Sequence, residues 1–306
     1  LLLPTSTWDT NYIAITPRPI GNNTLNPTLA IVAAEDGTTV LRQRVPTPQG
    51  DYRATVMVVA GLVEAVEQEL GQRGSVGIGI PGAESRGLIK NANSTCLIGK
   101  PLRRDLQALL QREIRLMNDA NCFALSEASD GAAAGHRVVF GVILGTGVGG
   151  GLVIDGKLLE GPNAIAGEWG HNPLPWPDAA EQDVRPCYCG RSGCIETWIS
   201  GPAFAASYAA DRGLRCTAAE IAAAAEAGEA CAEAAIERLG QQIGKCLASV
   251  VNVIDPDIIV LGGGLSNIEA LYALIPPAIS RHAFSDGVTT PVVRASHGDS
   301  SGVRGA

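Results

Sequence analysis

The chain has 306 residues, 46% of them hydrophobic and 37 of them glycine, which is long for one core and points to two folded lobes rich in turns. A formal net charge of −8 with no basic run argues against a nucleic-acid surface. No stretch reaches the roughly 18 consecutive apolar residues of a membrane helix, and the opening Leu1-Leu2-Leu3-Pro4 lacks the basic and long apolar regions of a signal peptide.

Residues 1–30 are dense in Thr, Asn and Pro and show no clean period; Pro17, Pro19 and Pro27 are incompatible with a central strand. Ala30 to Ala34, the turn Glu35-Asp36-Gly37-Thr38, and Thr39-Val40-Leu41 read as a hairpin at a sheet edge. From Asp51 the pattern is helical, with Val56, Val59, Val63, Val66 and Leu70 at three- and four-residue steps and Gly74 as the stop. Ser75 to Ile80 is a buried strand running into Pro81-Gly82. Helix, strand and glycine turn in that order are the grammar of an α/β sheet, whose ligands lie near the carboxyl ends of strands.

A polar loop follows at Asn91-Ala92-Asn93-Ser94, then a short helix carrying Leu102, Leu106, Leu109 and Leu110, and a strand at Ile114 to Met117. Asn118-Asp119-Ala120-Asn121 stands at its end, before a helix expected from about Cys122 to Ser129. Two readings of Asp119 stand side by side: a helix N-cap, where Asp and Asn are favoured, or a base facing a crevice. Val138 to Leu144 is a strand, and Gly145-Thr146-Gly147-Val148-Gly149-Gly150-Gly151 is a glycine turn into Leu152-Val153-Ile154. Exposed N–H groups at Gly145, Thr146 and Gly147 suit phosphate oxygens, although plain hairpin turns are also glycine-rich. The turn matches neither a dinucleotide fingerprint nor a Walker loop.

The next stretch, 168–196, organises the chain. Glu168-Trp169-Gly170-His171 precedes Cys187-Tyr188-Cys189, and Cys194 and Glu196 follow. Three thiols at C-x-C-x4-C spacing and a nearby histidine match a closed Cys3His zinc site that staples rather than catalyses. Gly190 and Gly193 allow the tight turn that lets the sulfurs converge. The other reading is buried thiols with an unrelated histidine. A metal fixing His171 and Cys194 would also fix Glu168 and Glu196, giving a polyhydroxylated ligand two anchored acceptors; alternatively these are two solvated acids. Of eight cysteines the remaining five are scattered, which favours a reducing compartment, the cytoplasm.

Alanine-rich helices are expected over 218–227 and from Glu229 to about Val253. Ile258 to Leu261 then forms a buried strand ending in Gly262-Gly263-Gly264. That turn suits either the nucleoside end of a nucleotide or a plain tight crossover.

Together, Glu168-Trp-Gly-His171, Cys187-x-Cys189-x4-Cys194-x-Glu196, Asn118-Asp119-Ala120-Asn121 and Asp257-Ile-Ile-Val-Leu-Gly-Gly-Gly264 resemble the ROK family (repressors, open reading frames, kinases), in particular its fructokinase/mannokinase branch. The resemblance runs from about Val40 to Ala306. It implies the actin-like, ribonuclease-H-like pair of α/β lobes with a cleft between them, here an N-terminal lobe over 1–118 and a C-terminal lobe over 119–306. It implies Asp119 as catalytic base, with Asn118, Glu168, His171 and Glu196 holding a sugar and Gly82 and Asn93 nearby. It also implies ATP with Mg2+, a structural zinc, a hexose partner and a homodimer. The reaction would be ATP-dependent phosphorylation of a hexose at its 6-hydroxyl, with fructose first and mannose next.

One departure bears on activity. The family opens with an Asp-x-Gly-Gly-Thr phosphate loop, whose place here falls on Ile20 to Thr28, with Asn23 for the acid and Leu25-Asn26-Pro27 for Gly-Gly-Thr. Side chains and a missing N–H hinder backbone approach to phosphate. Either catalysis is weak or the first thirty residues are not the native start. The competing function is a non-catalytic sugar binder. A repressor would need a helix-turn-helix, and the residues ahead of the resemblance are neither helical nor basic.

Overall fold

The computed structural model describes residues 11–16, 27–34, 39–92, 94–182, 185–298 and 301–306. The chain divides into two compact units. One reaches to Cys122 and takes in Gly302–Ala306, and the other spans Phe123–Ser301. The division falls after Cys122 rather than after Asn118, and the last five residues return to the first unit. Glycine explains the return. A Cβ on Gly77 would collide with the Ala306 carbonyl, and one on Gly305 with that of Cys122, so the terminus lies directly on this unit's backbone.

The first unit holds β1 (Asn11–Thr16), β2 (Pro27–Ala34), β3 (Thr39–Pro46), α1 (Tyr52–Leu70), β4 (Ser75–Ile80), the small hairpin β5 (Ala83–Ser85) and β6 (Leu88–Lys90), α2 (Leu102–Leu110) and β7 (Ile114–Asn118). Its sheet runs β3-β2-β1-β4-β7, antiparallel across the first three strands and parallel from β1 through β4 to β7. The expected edge hairpin is β2–β3. The central strand β1 was not expected. Ile13, Ala14 and Ile15 are all buried, so no polar–apolar alternation marks it. Helix α1 is capped by the Asp51 carboxylate, which accepts from the Ala54 N–H at 3.0 Å. It ends at Gly71, φ 65°, three residues before the expected Gly74. Its Val56, Val59, Val63 and Val66 are buried against the sheet, each contributing about 1.5–3 kcal/mol.

Helix α3 (Asp119–Ser129) links the two units. The second unit follows with β8 (Val138–Leu144), β9 (Val148–Ile154), β10 (Lys157–Leu158), α4 (Glu196–Ile199), α5 (Gly201–Arg212), α6 (Ala218–Glu226), α7 (Ala230–Ile254), β11 (Ile258–Gly262), α8 (Leu271–His282) and β12 (Val292–Arg294). The sheet order is β10-β9-β8-β11-β12, antiparallel across the first three strands and parallel from β8 through β11 to β12. Helix α7 packs on α8 through Gly240 and Gly244, where a Cβ would run into Leu274 and Ala278. The chain ends with α9 (Ser301–Arg304). Among the described residues no helix is long and apolar enough to cross a membrane.

Candidate functional site

The first unit presents Asn118 and Asp119 where β7 passes directly into α3. The helix begins three residues earlier than expected because Asn118 caps it: its Oδ1 accepts from the N–H groups of Ala120 at 2.9 Å and Asn121 at 3.1 Å. The Asn118 amide nitrogen donates to the Gly82 carbonyl at 2.9 Å, joining the carboxyl ends of β4 and β7. Gly82 has φ 75°, and a Cβ there would meet the Lys90 carbonyl. The capping role that sequence left open for Asp119 is therefore filled by its neighbour. Asp119 stands in the first turn of α3, one carboxylate oxygen accepting from the Ala120 N–H at 2.8 Å. Asn93, and the loop residues 20–26, lie outside the described residues; Pro27 and Thr28 open β2.

In the second unit the glycine-rich run divides into two jobs. Only residues 145–147 form the turn, closed by the Gly145 N–H on the Gly147 carbonyl at 3.0 Å. Gly145 is thus not an open donor, and the phosphate-binding reading of the turn rests on Thr146 and Gly147. Gly149, Gly150 and Gly151 belong to β9, where the bareness of Gly150 admits another chain segment. A Cβ on Gly150 would lie 2.8 Å from the Gly167 carbonyl and 2.9 Å from the Trp169 ring, and one on Gly170 would strike the Val148 carbonyl. Trp169 closes this packing by donating from Nε1 to the Gly149 carbonyl at 3.0 Å and by an edge-on contact with Phe140. So the residue between Glu168 and Gly170 anchors the motif onto the strand.

The four expected metal ligands come together. The ligand atoms of His171, Cys187, Cys189 and Cys194 all lie within 4.8 Å of one another. Cys189 Sγ is 3.7 Å from Cys194 Sγ, and Cys187 Sγ is 3.5 Å from His171 Nδ1. A tetrahedral zinc with bonds of about 2.3 Å to sulfur and about 2.0–2.1 Å to nitrogen spaces its ligands at roughly 3.8 Å (S–S) and roughly 3.5 Å (S–N). The donor set and its spacing therefore fit the ion. Gly190 and Gly193 have φ 85° and 70°, as the expected turn requires. Burial opposes ionisation at Cys189, but hydrogen bonds from Arg191 and the neighbouring thiols bring it down to about 7. Burial and hydrogen bonding to Cys189 push Cys194 up to about 12.

Glu196 is tied to the segment that carries His171. The Glu196 N–H donates to the Gly170 carbonyl at 2.8 Å, and the Ile195 N–H to the Asn172 carbonyl at 2.8 Å. One Glu196 oxygen accepts from the Val148 N–H at 2.9 Å, and a Cβ on Gly147 would lie 2.5 Å from it. Gly147 thus makes room for Glu196. Burial raises the Glu196 carboxyl, with the Val148 N–H and His171 acting in the opposite direction. Glu168 immediately precedes the turn from Trp169 to Asn172, closed by the Asn172 N–H on the Trp169 carbonyl at 3.0 Å. Two residues in this region escaped the sequence reading. Arg185 lays its guanidinium 3.6 Å from the centre of the Trp198 ring and donates to the Thr197 carbonyl and the Ser207 hydroxyl, both at 3.0 Å. Tyr188 donates to or accepts from His171 Nε2 at 3.1 Å. The signal for both was their place beside the cysteines.

The third glycine turn is only partly a ligand feature. A Cβ on Gly262 would enter the Phe123 ring, and one on Gly263, φ 85°, would meet the Leu144 backbone. Gly264 alone faces open space, with nothing within 4 Å of its Cβ position.

Residues 24–306 match the ROK family. The chain is 45% identical over 271 residues to an N-acetyl-D-glucosamine kinase of Salmonella newport, covering 86% of this chain and 89% of that protein. It is 42% identical over 273 residues to the protein of the same name from Photobacterium profundum, covering 87% and 90%. Its fold superposes on a ROK hexokinase from Thermus thermophilus with TM-score 0.81 at 29% identity, covering 96% of each chain. It also superposes on a ROK family glucokinase from Streptomyces griseus, solved with glucose and AMPPNP, with TM-score 0.80 at 25% identity, covering 96% and 97%. These relatives do not bear the fructokinase or mannokinase names that the motif resemblance suggested. The chain belongs to the ROK family and has its two-lobed, actin-like α/β fold.

Proposed function

We propose that this ROK-family sugar kinase phosphorylates N-acetyl-D-glucosamine at its 6-hydroxyl, using ATP. The 42–45% identity to proteins of that name across 86–87% of the chain carries the choice of sugar. Motif residues do not make that choice, because hexoses differ by single hydroxyls that ordinary loop atoms read. Fructose and mannose, favoured by the motifs, become comparison substrates.

In this reading Asp119 accepts the proton of the attacking hydroxyl, help worth roughly 10²–10⁴-fold. Asn118 holds that helix start in place, with Gly82 and Asn93 beside the sugar. Glu168, Glu196 and His171 pair with sugar hydroxyls once water is excluded. His171 Nδ1 and the thiolates of Cys187, Cys189 and Cys194 would hold a structural zinc, which keeps both acids fixed. Thr146 and Gly147, next to Gly145, would serve phosphate, and Gly264, after Gly262 and Gly263, the nucleoside. Bound ATP with Mg2+ supplies the phosphoryl group and neutralises its charge. The family resemblance also supports a cytoplasmic homodimer.

A coupled ADP-release assay with N-acetyl-D-glucosamine, fructose, mannose and glucose tests this. The highest kcat/KM with N-acetyl-D-glucosamine is expected; a clear preference for fructose would return the reading to the fructokinase branch. A second reading, a sugar binder without turnover, is favoured by Asn23 and Leu25-Asn26-Pro27 in the phosphate loop. It would show as a sugar-dependent thermal shift with no ADP release.

A further inference from the structure

We propose that Tyr188 contacts the sugar and recognises its 2-acetamido group, an inference that rests on the proposed N-acetyl-D-glucosamine activity. Tyr188 lies between two of the metal-ligand candidates, Cys187 and Cys189, so its backbone is held at both ends. The residue is 63% exposed, unusual for one so tightly placed. The exposed ring is nevertheless oriented: its hydroxyl is 3.1 Å from His171 Nε2, and its ring meets the imidazole edge-on, centroids 5.2 Å apart at 83°. With Nδ1 turned toward Cys187, Nε2 is the edge of His171 left for a sugar, and the Tyr188 hydroxyl stands beside that edge, where a sugar reaching His171 would also meet the phenol.

An amphipathic ring beside the His171 imidazole offers what an acetamido group needs and a plain hydroxyl does not. The ring gives the methyl an apolar surface, and the phenol gives the amide a hydrogen-bond partner. The alternative is that Tyr188 only braces His171. A brace would weaken every sugar alike, whereas recognition changes the ratio between sugars with and without the acetamido group.

The experiment uses the full chain as wild type, Tyr188→Phe and Tyr188→Ala. Zinc is measured per chain, dissociation constants for N-acetyl-D-glucosamine and glucose by calorimetry, and turnover by ADP release. Tyr188→Ala should retain its zinc and its KM for ATP while preference for N-acetyl-D-glucosamine over glucose falls at least tenfold, the scale set by one lost apolar contact. Tyr188→Phe should lower that preference by about two- to tenfold, as for one hydrogen bond. An equal loss for both sugars, or no loss, overturns the inference. If Tyr188→Ala fails to fold or to hold zinc, the Tyr188→Phe ratio decides, and an unchanged ratio overturns it. Wild-type turnover tests the substrate reading separately. Binding of N-acetyl-D-glucosamine without phosphorylation sinks that reading and leaves the Tyr188 ratio measurable, while no binding sinks both.

Discussion

The two units use one plan for different ends. Each sheet is an antiparallel meander whose inner strand continues into two parallel strands: β3-β2-β1-β4-β7 in the first, β10-β9-β8-β11-β12 in the second. In the first unit the carboxyl ends of β4 and β7 carry Gly82 and Asn118-Asp119, joined by one hydrogen bond. In the second, the segment after β10 folds back on β9 and carries Glu168, the metal ligands and Glu196. A shared scaffold thus carries a junction carboxylate on one unit and, on the other, two carboxylates flanking the cluster of His171 with three cysteines. On the proposed reading the chemistry belongs to the turns and loops beyond the strands and not to the strands themselves.

The largest expected effect tests the first unit's contribution. Asp119→Asn should lower kcat by roughly 10²–10⁴-fold and leave sugar binding near normal, read by steady-state kinetics and calorimetry. A kcat close to wild type would remove the base from the proposal. The second unit is tested through the buried Lys245–Glu181 ion pair, which fastens the proline-rich stretch ahead of Cys187 onto α7. Lys245→Met strands a buried carboxylate and should cost about 3–5 kcal/mol in chemical denaturation.

The glycines separate packing from ligand contact. Gly262→Ala pushes a methyl into Phe123 and should cost about 1–3 kcal/mol. Gly264→Ala meets nothing and should leave stability unchanged, so a raised KM for ATP there would report the nucleotide directly. Equal destabilisation by both would contradict the division of roles. The smallest effect is Asp51→Ala, which removes the α1 cap from the first unit for about 1 kcal/mol, read by thermal denaturation.

Legibility in the sequence also differed between the units. Three strands of the second sheet, β8, β9 and β11, the alanine-rich helices and the convergence of His171 with three cysteines could be read, because apolar strands end in glycines and thiol spacing needs no tertiary context; the short edge strands β10 and β12 could not. The strand β1 could not, since a six-residue central strand buried on both faces has no alternation, and the prolines after it argued against one. The start of α3 was misplaced because capping by Asn118 depends on a side-chain geometry shared by Asn and Asp alike. Glycine content alone could not say that Gly150 admits a neighbouring segment while residues 145–147 turn. That distinction lies in which atoms occupy the space beside each Cα.

Metal removal probes the staple most directly. Zinc per chain would be measured before and after chelation, with sugar and ATP KM values determined on the same samples. One zinc per chain is expected, and its loss should raise the sugar KM at least tenfold while the ATP KM holds. A chain that binds no zinc, or that keeps its sugar affinity after losing it, would contradict the assignment of Glu168 and Glu196 as acids held in place by the metal.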